Sequence, residues 1–348
     1  MPSFGWYFVA AFLVLFGLIL AVPSEGHGAE TAAPKVFGTV GAVVSPGDIG
    51  DIIWTNYAKG VAEKSGGRLA VKLLIRGETG GEDGMMTALI RNRIQISSFS
   101  EAGMSRIVPE YQLLAAPYLF DSLAEWHFVI DNFLLEPFRE MSAARGVYLH
   151  EFQDVGWTNV YAKKPLLEPA DARGYRMRAM SSLTSAMFLE ALGADVIHLQ
   201  RNELVTSLQT GLVDGGETAL VLYARGGEAE YAPHFTLTEH SRTSGTSVFN
   251  QAWLDGLSDE DRAIALGAYG DQAAERKEAL RLNEVEMARL PQIGVTVHTL
   301  SPEQRARWKA QVQGNTAKLI DTIGGRAAEI HAMIVKAKAE FAARNPGG

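Results

Sequence analysis

The sequence predicts an α/β fold with two domains, and three observations lead to this prediction. The stretch from Gly174 to Glu217 reads as strand, helix, strand, helix and strand, which is one βαβαβ half of an α/β domain. The chain has 348 residues, a length that favours two domains over one. Hydrophobic residues make up 47% of the chain and charged residues 21%, which is typical of a globular protein with a large core.

Charge and cysteine content exclude several classes of function. The formal net charge of -8 argues against a nucleic-acid partner, because such a surface needs clustered Lys and Arg. The sequence contains no cysteine, which excludes disulfides, a thiolate nucleophile, zinc-cysteine sites and a lipidated cysteine. We therefore expect no cofactor, and any site for an anion must be made positive locally.

The first 33 residues have the pattern of a targeting segment. Trp6 to Val22 is an unbroken apolar run, and a polar stretch with small residues follows it. This order predicts a signal peptide over residues 1–33 and export of the remainder. The apolar run is also near the lower length limit for spanning a bilayer, so an uncleaved N-terminal membrane anchor stays open as an alternative.

The first domain is predicted to begin with a strand, a helix and a second strand. Lys35 to Val44 is apolar and ends at the turn signal Ser45-Pro46-Gly47. Apolar residues within 52–62 share one helical face, and Gly66-Gly67 ends that helix. Leu69 to Ile75 is the next strand.

A glycine-rich turn follows this strand and opens the next helix. Such a turn can bind phosphate through its backbone N-H groups. This one lacks the Gly-Lys-Ser/Thr ending and carries Glu78, Glu82 and Asp83, whose charges would repel phosphate. The turn is therefore interpreted as a tight connection, not as a phosphate loop.

The strand that precedes Phe99 is predicted to end at a pocket wall. Asn92 stands where this chain turns from helix to strand, and Asn tolerates the left-handed conformation that such a turn needs. Ligands of α/β sheets lie beyond the carboxyl ends of the strands, which makes Phe99 and the adjacent serines candidate pocket residues. The alternative, with Phe99 in the core and the serines capping the next helix, stays open.

Several polar residues in the middle of the chain are assigned structural positions. Two separate strand-like stretches lie on either side of Asp154-Val155-Gly156. His234 and His240 flank a further short strand-like stretch and are predicted to lie at the surface or to pack at a hinge. Glu228 and Glu230 are interpreted as part of a solvated face.

Arg178 is the strongest candidate for a ligand contact. If residues 174–180 form a strand, Arg176 and Arg178 share one face, and Arg178 lies nearer the carboxyl end. Arg binds a carboxylate with two parallel hydrogen bonds, so Arg178 is predicted to contact the ligand and Arg176 to reach solvent. From spacing alone, a salt bridge between Arg178 and a nearby acid is an alternative.

The C-terminal part is predicted to be helical and architectural. Ser258 followed by three acids is an N-cap, and it opens a long helix that runs to about Leu290, before Pro291. Ser301-Pro302-Glu303-Gln304 is a capping box with proline at the first helical position.

Four motifs of the chain carry a family resemblance. In chain order they are Gly66-Gly67-Arg68, Pro117-Tyr118-Leu119-Phe120, Gly174-x-Arg176-x-Arg178, and Leu208-Gln209-Thr210-Gly211-x-Val213-Asp214-Gly215. Together they resemble the DctP-like solute-binding proteins of TRAP transporters, over about residues 37–324. These proteins are the extracytoplasmic receptors of ion-gradient-driven uptake systems.

The resemblance implies a two-lobed, periplasmic-binding-protein-like fold of the class II type with a long helix spanning the lobes. Lobe I is expected over residues 34–155 and about 244–283. Lobe II is expected over residues 156–243 and about 284–345. The resemblance further implies a periplasmic receptor that captures a small organic acid in the cleft between the lobes and delivers it to membrane permease subunits.

Two positions depart from the family pattern in that cleft. An arginine and an asparagine of the family correspond to Thr158 and Thr218 here. Each threonine keeps a hydroxyl, but a neutral hydrogen bond contributes about 1 kcal/mol where a charged one contributes about 1.5 to 3. We therefore expect a ligand with one carboxylate, bound by Arg178. Glu82, Glu101 and Glu217 are expected near the cleft mouth, where they suit a cationic group or a ligand-bridging metal ion.

No catalytic constellation is visible, so the chain is predicted not to be an enzyme. No histidine has the spacing of a zinc motif such as H-E-x-x-H, and no G-x-S-x-G elbow precedes a helix. Two alternatives remain open: a membrane-tethered ligand sensor, and an exported enzyme on the same scaffold, since fold does not determine function.

Overall fold

A computed structural model describes residues 34–346 of the protein. The predicted signal peptide and the alternative N-terminal anchor lie outside the described residues. Among the helices of residues 34–346, none is both long enough and apolar enough to cross a membrane.

The strands form one mixed sheet in the described part of the chain. They are β1 (Lys35–Gly41), β2 (Leu69–Leu74), β3 (Ile96–Ser100), β4 (Val147–Ala162), β5 (Arg176–Ala179), β6 (Asp195–His198), β7 (Gly215–Ala219), β8 (His234–Asn250) and β9 (Thr296–Thr299). Their order is β2-β1-β3-β8-β4-β7-β5-β6, with β9 paired to β8.

Helices cover the sheet and connect its strands. The α-helices are α1 (Ile49–Lys64), α2 (Glu82–Ile90), α3 (Glu101–Met104), α4 (Leu123–Val129), α5 (Leu135–Ala143), α6 (Leu183–Ala191), α7 (Arg201–Thr210), α8 (Leu220–Gly226), α9 (Glu228–Tyr231), α10 (Gln251–Asp255), α11 (Asp259–Gly267), α12 (Gln272–Arg289), α13 (Pro302–Gln311), α14 (Asn315–Ile323) and α15 (Ala327–Arg344). A π-helical turn, Ile130–Leu134, joins α4 to α5, and short 3-10 helices lie at Pro109–Ala115, Pro169–Ala172 and Leu290–Ile293.

The predicted βαβαβ half is confirmed. Strand β5 pairs in parallel with both β6 and β7, and α6 and α7 make the crossovers. Gly211 ends α7 in the left-handed conformation, as a helix that must turn sharply into a strand requires. The carboxyl ends of β5 and β7 therefore meet at one edge of the sheet, which is where α/β folds place ligands.

The prediction of separate strands around Asp154-Val155-Gly156 is wrong, because β4 runs without interruption through this turn signal. Its neighbour β8 is equally continuous, and the two strands pair antiparallel along nearly their whole length. Irregularities in the register, one of them between Asp154 and Gly156, let the strands bend without breaking. Gly156 has a positive φ of 140, a conformation that favours glycine. The glycine at this position is the reason that the sequence resembles a turn.

The predicted long helix from Ser258 to about Leu290 is also wrong, since two helices occupy this range. Helix α11 ends before Gly270, whose φ of 96 a residue with a side chain rarely adopts, and Asp271 caps the new helix α12. The N-cap at Ser258 is confirmed, as is the capping box at Ser301.

Helix α12 spans the two lobes, which confirms that part of the predicted fold. Its first half packs in the core around Trp54 through Ala279 and Leu282. Its second half packs with the core around Tyr161 through Met287. Between them, Asn283 Nδ2 donates to the Val155 carbonyl at 3.1 Å, so the helix is fastened to β4 beside its bend.

The C-terminal helices α14 and α15 pack on a core that also contains Met85 and Trp126. Leu319 and Ile334 contribute from these helices, although their positions fall in the range expected for lobe II. The lobe boundaries given by the sequence thus remain a prediction.

Candidate functional site

A cavity of about 430 Å³ lies where the strand ends of the two lobes face each other. Ser98 and Ser100 at the end of β3 line it, as do Ser181 and Ser185, which follow β5. All six predicted site residues line this cavity: Glu82, Phe99, Thr158, Arg178, Glu217 and Thr218.

Arg178 lies deep in this cavity wall. Its neighbours on β5, Met177 and Ala179, pack into the core of lobe II and hold the strand in place. The residue is 5% exposed, and its Nε donates to the Leu199 carbonyl at 3.1 Å. Burial lowers the pKa of its guanidinium from the usual value. Within residues 34–346 no carboxylate forms an ion pair with Arg178, so the predicted alternative of a protein salt bridge is absent there.

Arg176, on the same face of β5, has a different environment. It is half exposed at the side chain, and both its Nε and Nη2 bond Asp214 Oδ2, at 2.8 and 2.6 Å. The prediction that Arg176 reaches solvent is confirmed. Of the two arginines on this strand, only Arg178 lines the cavity.

The two threonines that depart from the family pattern lie on adjacent strands. Thr218 on β7 pairs in register with Asn159 on β4, one residue from Thr158. The Thr158 and Thr243 hydroxyls are 2.7 Å apart and hydrogen bonded to each other. Both Thr158 and Thr218 are buried, so this wall offers hydroxyl groups and no positive charge.

Glu217 is held by a histidine that the sequence analysis assigned to a surface or hinge-packing position. His240 is buried, and its Nε2 lies 2.6 Å from Glu217 Oε2. Its Nδ1 bonds the Thr238 hydroxyl at 2.8 Å, and its ring stacks on Phe188 with centroids 3.7 Å apart. A surface position for His240 is therefore wrong: the ring lines the cavity and orients Glu217.

Glu82 and Phe99 flank the lobe I side of the cavity. Ser100 donates to Glu82 twice, from its backbone N at 2.6 Å and from its hydroxyl at 2.7 Å. The same hydroxyl accepts from Gly103 N and caps α3. Phe99 belongs to a hydrophobic core and also lines the cavity, so both positions considered for it apply, and its contact with a ligand stays a prediction.

Glu101 is a buried carboxylate in the same wall. Its Oε1 accepts from the backbone N and from the hydroxyl of Ser244, both at 2.5 Å. Burial raises the pKa of this carboxyl from the usual 4.5 to about 7, and the negative charge of Glu82 adds to the shift.

A second buried arginine, Arg242, was missed by the sequence analysis. Its guanidinium pairs with Asp154 and lies over the Trp157 ring, 4.6 Å from the centroid. His127 Nε2 also approaches Asp154, at 3.3 Å. This ion pair joins β8 to β4 beside the bend at Gly156.

The interpretation of Glu228 as part of a solvated face is wrong. Glu228 is 1% exposed and pairs with Arg201 at 3.1 Å. The local sequence predicted an exposed position for Glu228 because Arg201, which neutralises it, lies 27 positions earlier in the chain.

One signal in the sequence could have revealed His240 and Arg242. Residues 240–247 are almost entirely polar, yet they belong to a central strand and are largely buried. A polar run inside a central strand indicates that the strand faces a polar cavity, since buried polar groups need partners.

Two further features of residues 34–346 bear on the site. No group of three or more His, Asp or Glu side chains in residues 34–346 is arranged to hold a metal ion. A second cavity, of about 510 Å³, lies between α12 and the long strands and contains none of the six predicted residues. The cavity around Arg178 is therefore the candidate functional site.

The comparison with known protein families agrees with this geometry. A family model described as bacterial extracellular solute-binding protein, family 7, with the short name DctP, matches residues 40–322. The chain belongs to this family. Membership confirms the predicted resemblance to TRAP receptors, and it identifies the chain as an extracytoplasmic solute-binding receptor of that type.

Individual curated proteins are similar to this chain over most of their length. The ectoine-binding periplasmic protein TeaA of Halomonas elongata is 27% identical over 291 residues, 82% of this chain and 84% of TeaA. The C4-dicarboxylate-binding periplasmic protein DctP of Vibrio cholerae is 26% identical over 255 residues, 72% of this chain and 76% of its own. Both relatives are named as periplasmic binding proteins.

A crystal structure of another TRAP solute-binding protein has the same fold. The protein from Sulfurospirillum deleyianum, solved with bound succinate, superposes with a TM-score of 0.80. It is 26% identical, and the match covers 86% of this chain and 97% of the other. The two-lobed α/β architecture of family 7 is thereby confirmed for this chain.

Proposed function

We propose that this receptor captures a small organic acid through one carboxylate, which the guanidinium of Arg178 binds in the cleft between the lobes. The observation that carries the proposal is a buried arginine in the cavity wall with no carboxylate paired to it in the described chain. A buried charge without a partner is costly, so its place in a folded protein is explained by a ligand that supplies the opposite charge.

The remaining walls limit the charge of that acid. Thr158 and Thr218 offer hydroxyls where a second cation would be needed for a second carboxylate. Arg242 and Arg201 also line the cavity, but each is already paired, with Asp154 and Glu228 respectively. A monocarboxylate with hydroxyl or other polar groups fits this set of contacts better than a dicarboxylate does.

The relatives support an acid ligand in general terms. The Vibrio cholerae relative binds C4-dicarboxylates, the Halomonas elongata relative binds ectoine, and the Sulfurospirillum deleyianum structure holds succinate. The differences among these ligands show that family membership does not name the acid.

The rest of the proposal concerns where and how the receptor acts. It is exported to the periplasm by its N-terminal segment, closes its lobes around the acid by bending at the β4 and β8 crossing, and passes the closed form to membrane permease subunits without chemical change to the ligand. Closure is a population shift, so the acid must bind the closed form better than the open form. N-terminal sequencing of the exported protein distinguishes a start near residue 30 from an anchored chain that keeps Met1.

The anchoring role is tested with Arg178→Ala, and Arg176→Ala is the matched control on the same strand face. A panel of organic acids is screened against the native protein by thermal shift, and each acid that binds is then measured by calorimetry with both variants. Loss of a charged, bidentate contact should weaken binding at least about tenfold in Arg178→Ala and leave it unchanged in Arg176→Ala.

Equal affinity of the native protein and Arg178→Ala for an acid from the panel would contradict the proposal. Thermal denaturation of each variant without ligand shows whether weak binding is caused by unfolding of that variant. Mass spectrometry of the acid after incubation tests the alternative of an enzyme, because a receptor returns its ligand unchanged.

A further inference from the structure

The cavity contains more negative than positive charge once its internal pairs are set aside. Arg201, Arg242 and Glu217 each have a partner, namely Glu228, Asp154 and His240. Arg76 also lines the cavity and pairs with Asp51, and Asp48 accepts hydrogen bonds from the backbone N of Ser45 and of Asp51. Arg178 is then the lining cation left without an acid in residues 34–346, whereas Glu82 and Glu101 have no ion pair there. A ligand that offers only a carboxylate would satisfy Arg178 and leave these two acids unbalanced.

Glu101 is the acid with capacity for a ligand. It is 7% exposed, it lines the cavity, and Ser244 occupies only its Oε1. In the described chain no other residue donates a hydrogen bond to Oε2. A carboxylate oxygen accepts up to two hydrogen bonds, so Oε2 of this cavity-lining residue has capacity for a donor that residues 34–346 do not supply.

Glu82 has a different role. Both of its oxygens are occupied by Ser100, and a Cβ placed on Gly103 would lie 2.9 Å from its carboxylate, which shows how tightly it packs there. Glu82 therefore fixes the start of α3, the helix whose first residue is Glu101. Its negative charge also acts on Glu101 and increases the benefit of a cation nearby.

We infer that the ligand is a zwitterion, in which a carboxylate binds Arg178 and an ammonium or similar cationic group binds Glu101, with Glu82 as a positioning residue. This inference rests on the proposed carboxylate function and adds the second end of the ligand. The two contacts come from opposite lobes, Glu101 from α3 and Arg178 from β5. A ligand that engages both therefore adds a charged contact across the cleft, which favours the closed form more than a simple acid does.

The inference predicts a proton effect as well as an affinity effect. Glu101 has a pKa of about 7, so part of the free protein carries its proton at pH 7. Glu82 on α2 and Arg242 on β8 are the charged groups that act on it, the first raising its pKa and the second favouring the ionised form. A cationic ligand group lowers the pKa of Glu101, so binding at pH 7 should release a fraction of a proton.

The experiment uses pairs of ligands that differ only in the amine: β-alanine with propanoate, and γ-aminobutyrate with butyrate. Calorimetry at pH 8, where Glu101 is ionised, should show that at least one zwitterion binds at least about tenfold more tightly than its simple acid. Glu101→Gln should abolish that preference, so that the zwitterion binds no more tightly than its simple acid. The native protein should release protons on binding the zwitterion at pH 7, measured in two buffers of different ionisation enthalpy, and Glu101→Gln should not.

Glu110→Gln is the matched control, since Glu110 is also 7% exposed but lies outside the cavity. It should keep both the preference and the proton release. If simple acids bind and the zwitterions bind no better, or if Glu101→Gln keeps the preference, this inference is overturned while the carboxylate receptor stands. If no ligand of either class binds, the carboxylate function and this inference both fail. Melting curves of each variant exclude unfolding as the cause.

Discussion

Arg178 and Arg242 are two buried arginines in the wall of one cavity, and they differ in what neutralises them. Arg242 is 3% exposed and paired with Asp154, whereas Arg178 is 5% exposed and bonds only a backbone carbonyl in the described chain. The first ion pair joins β8 to β4 at their bend. The second guanidinium stabilises nothing comparable in the free protein.

This difference shows that burial alone does not identify a binding residue. Both arginines are almost inaccessible in the free protein, and both line the cavity. The two arginines differ in their charged partners. Arg242 is paired with Asp154 and stabilises the fold, whereas Arg178, unpaired in the described chain, is available to a ligand. Glu101 belongs with Arg178 in this respect, because it too is buried at the cavity without an opposite charge bound to it.

The largest expected effect is on stability, in Arg242→Ala. Removing this guanidinium leaves Asp154 buried without its charged partner, which should lower the free energy of unfolding by about 3–5 kcal/mol. Arg178→Ala removes an ion that has no charged partner among residues 34–346 and should cost far less. Chemical denaturation of both variants, without ligand, measures the difference.

The control for this comparison is the double replacement Arg242→Met with Asp154→Leu. An apolar pair of similar size should recover most of the stability lost in Arg242→Ala, because no charge is then left unpaired. A loss of stability in Arg178→Ala as large as that in Arg242→Ala would remove the distinction between the two arginines.

The second effect is the pH dependence that Glu101 gives to stability. In the unfolded chain this carboxyl ionises near 4.5, and in the folded protein near 7. Between these values the folded state binds the proton more tightly, so the contribution of Glu101 to stability falls as the pH rises through this window. Glu101→Gln should therefore be more stable than the native protein at pH 8, by about 1–3 kcal/mol, and no more stable at pH 4.

Thermal or chemical denaturation at several pH values tests this expectation. Burial also raises the pKa of Glu151 to about 7 and that of Glu275 to about 8, so the native protein contains other groups that titrate in this range. Subtracting the native curve from that of Glu101→Gln isolates the contribution of Glu101. If the stability difference between Glu101→Gln and the native protein does not grow with pH, the pKa of Glu101 is not raised by folding.

The smallest effect is expected for Arg176→Ala, whose salt bridge to Asp214 is largely exposed. Water screens such a pair, so the loss of stability should be below about 1 kcal/mol. Denaturation at low and high salt measures it. A larger loss would mean that the exposure of an ion pair does not predict its contribution to the stability of this protein.

Local patterns predicted much of the architecture and part of the site. The βαβαβ order around Arg178 and the cap at Ser301 depend on neighbouring residues, and the structure confirms both. Asn92 has the left-handed backbone that its position in the sequence indicated, with φ 55. The alternation of side chains along a strand placed Arg176 and Arg178 on one face of β5, and the position of Arg178 nearer the carboxyl end of the strand distinguished the two.

Apart from the helix that ends before Gly270, which is a local feature, the errors come from contacts between residues far apart in the chain. Gly156 resembles a turn, but β4 continues through it because β8 supplies a partner for its backbone on one side. Glu228 resembles a surface residue because Arg201, which neutralises it, is on another helix. His240 is drawn into the cavity by Glu217 and Phe188, neither of which is near it in sequence.

The continuity of β4 and β8 has a consequence for how the molecule assembles. Each of these strands forms hydrogen bonds in both halves of the sheet. Neither lobe can therefore form its part of the sheet without a strand that the other lobe shares. Most of the pairing also joins segments many tens of residues apart, as between Val147 and Asn250. The chain loses loop-closure entropy before such pairs form their contacts, which slows folding. We therefore expect the two lobes to fold together in one cooperative step.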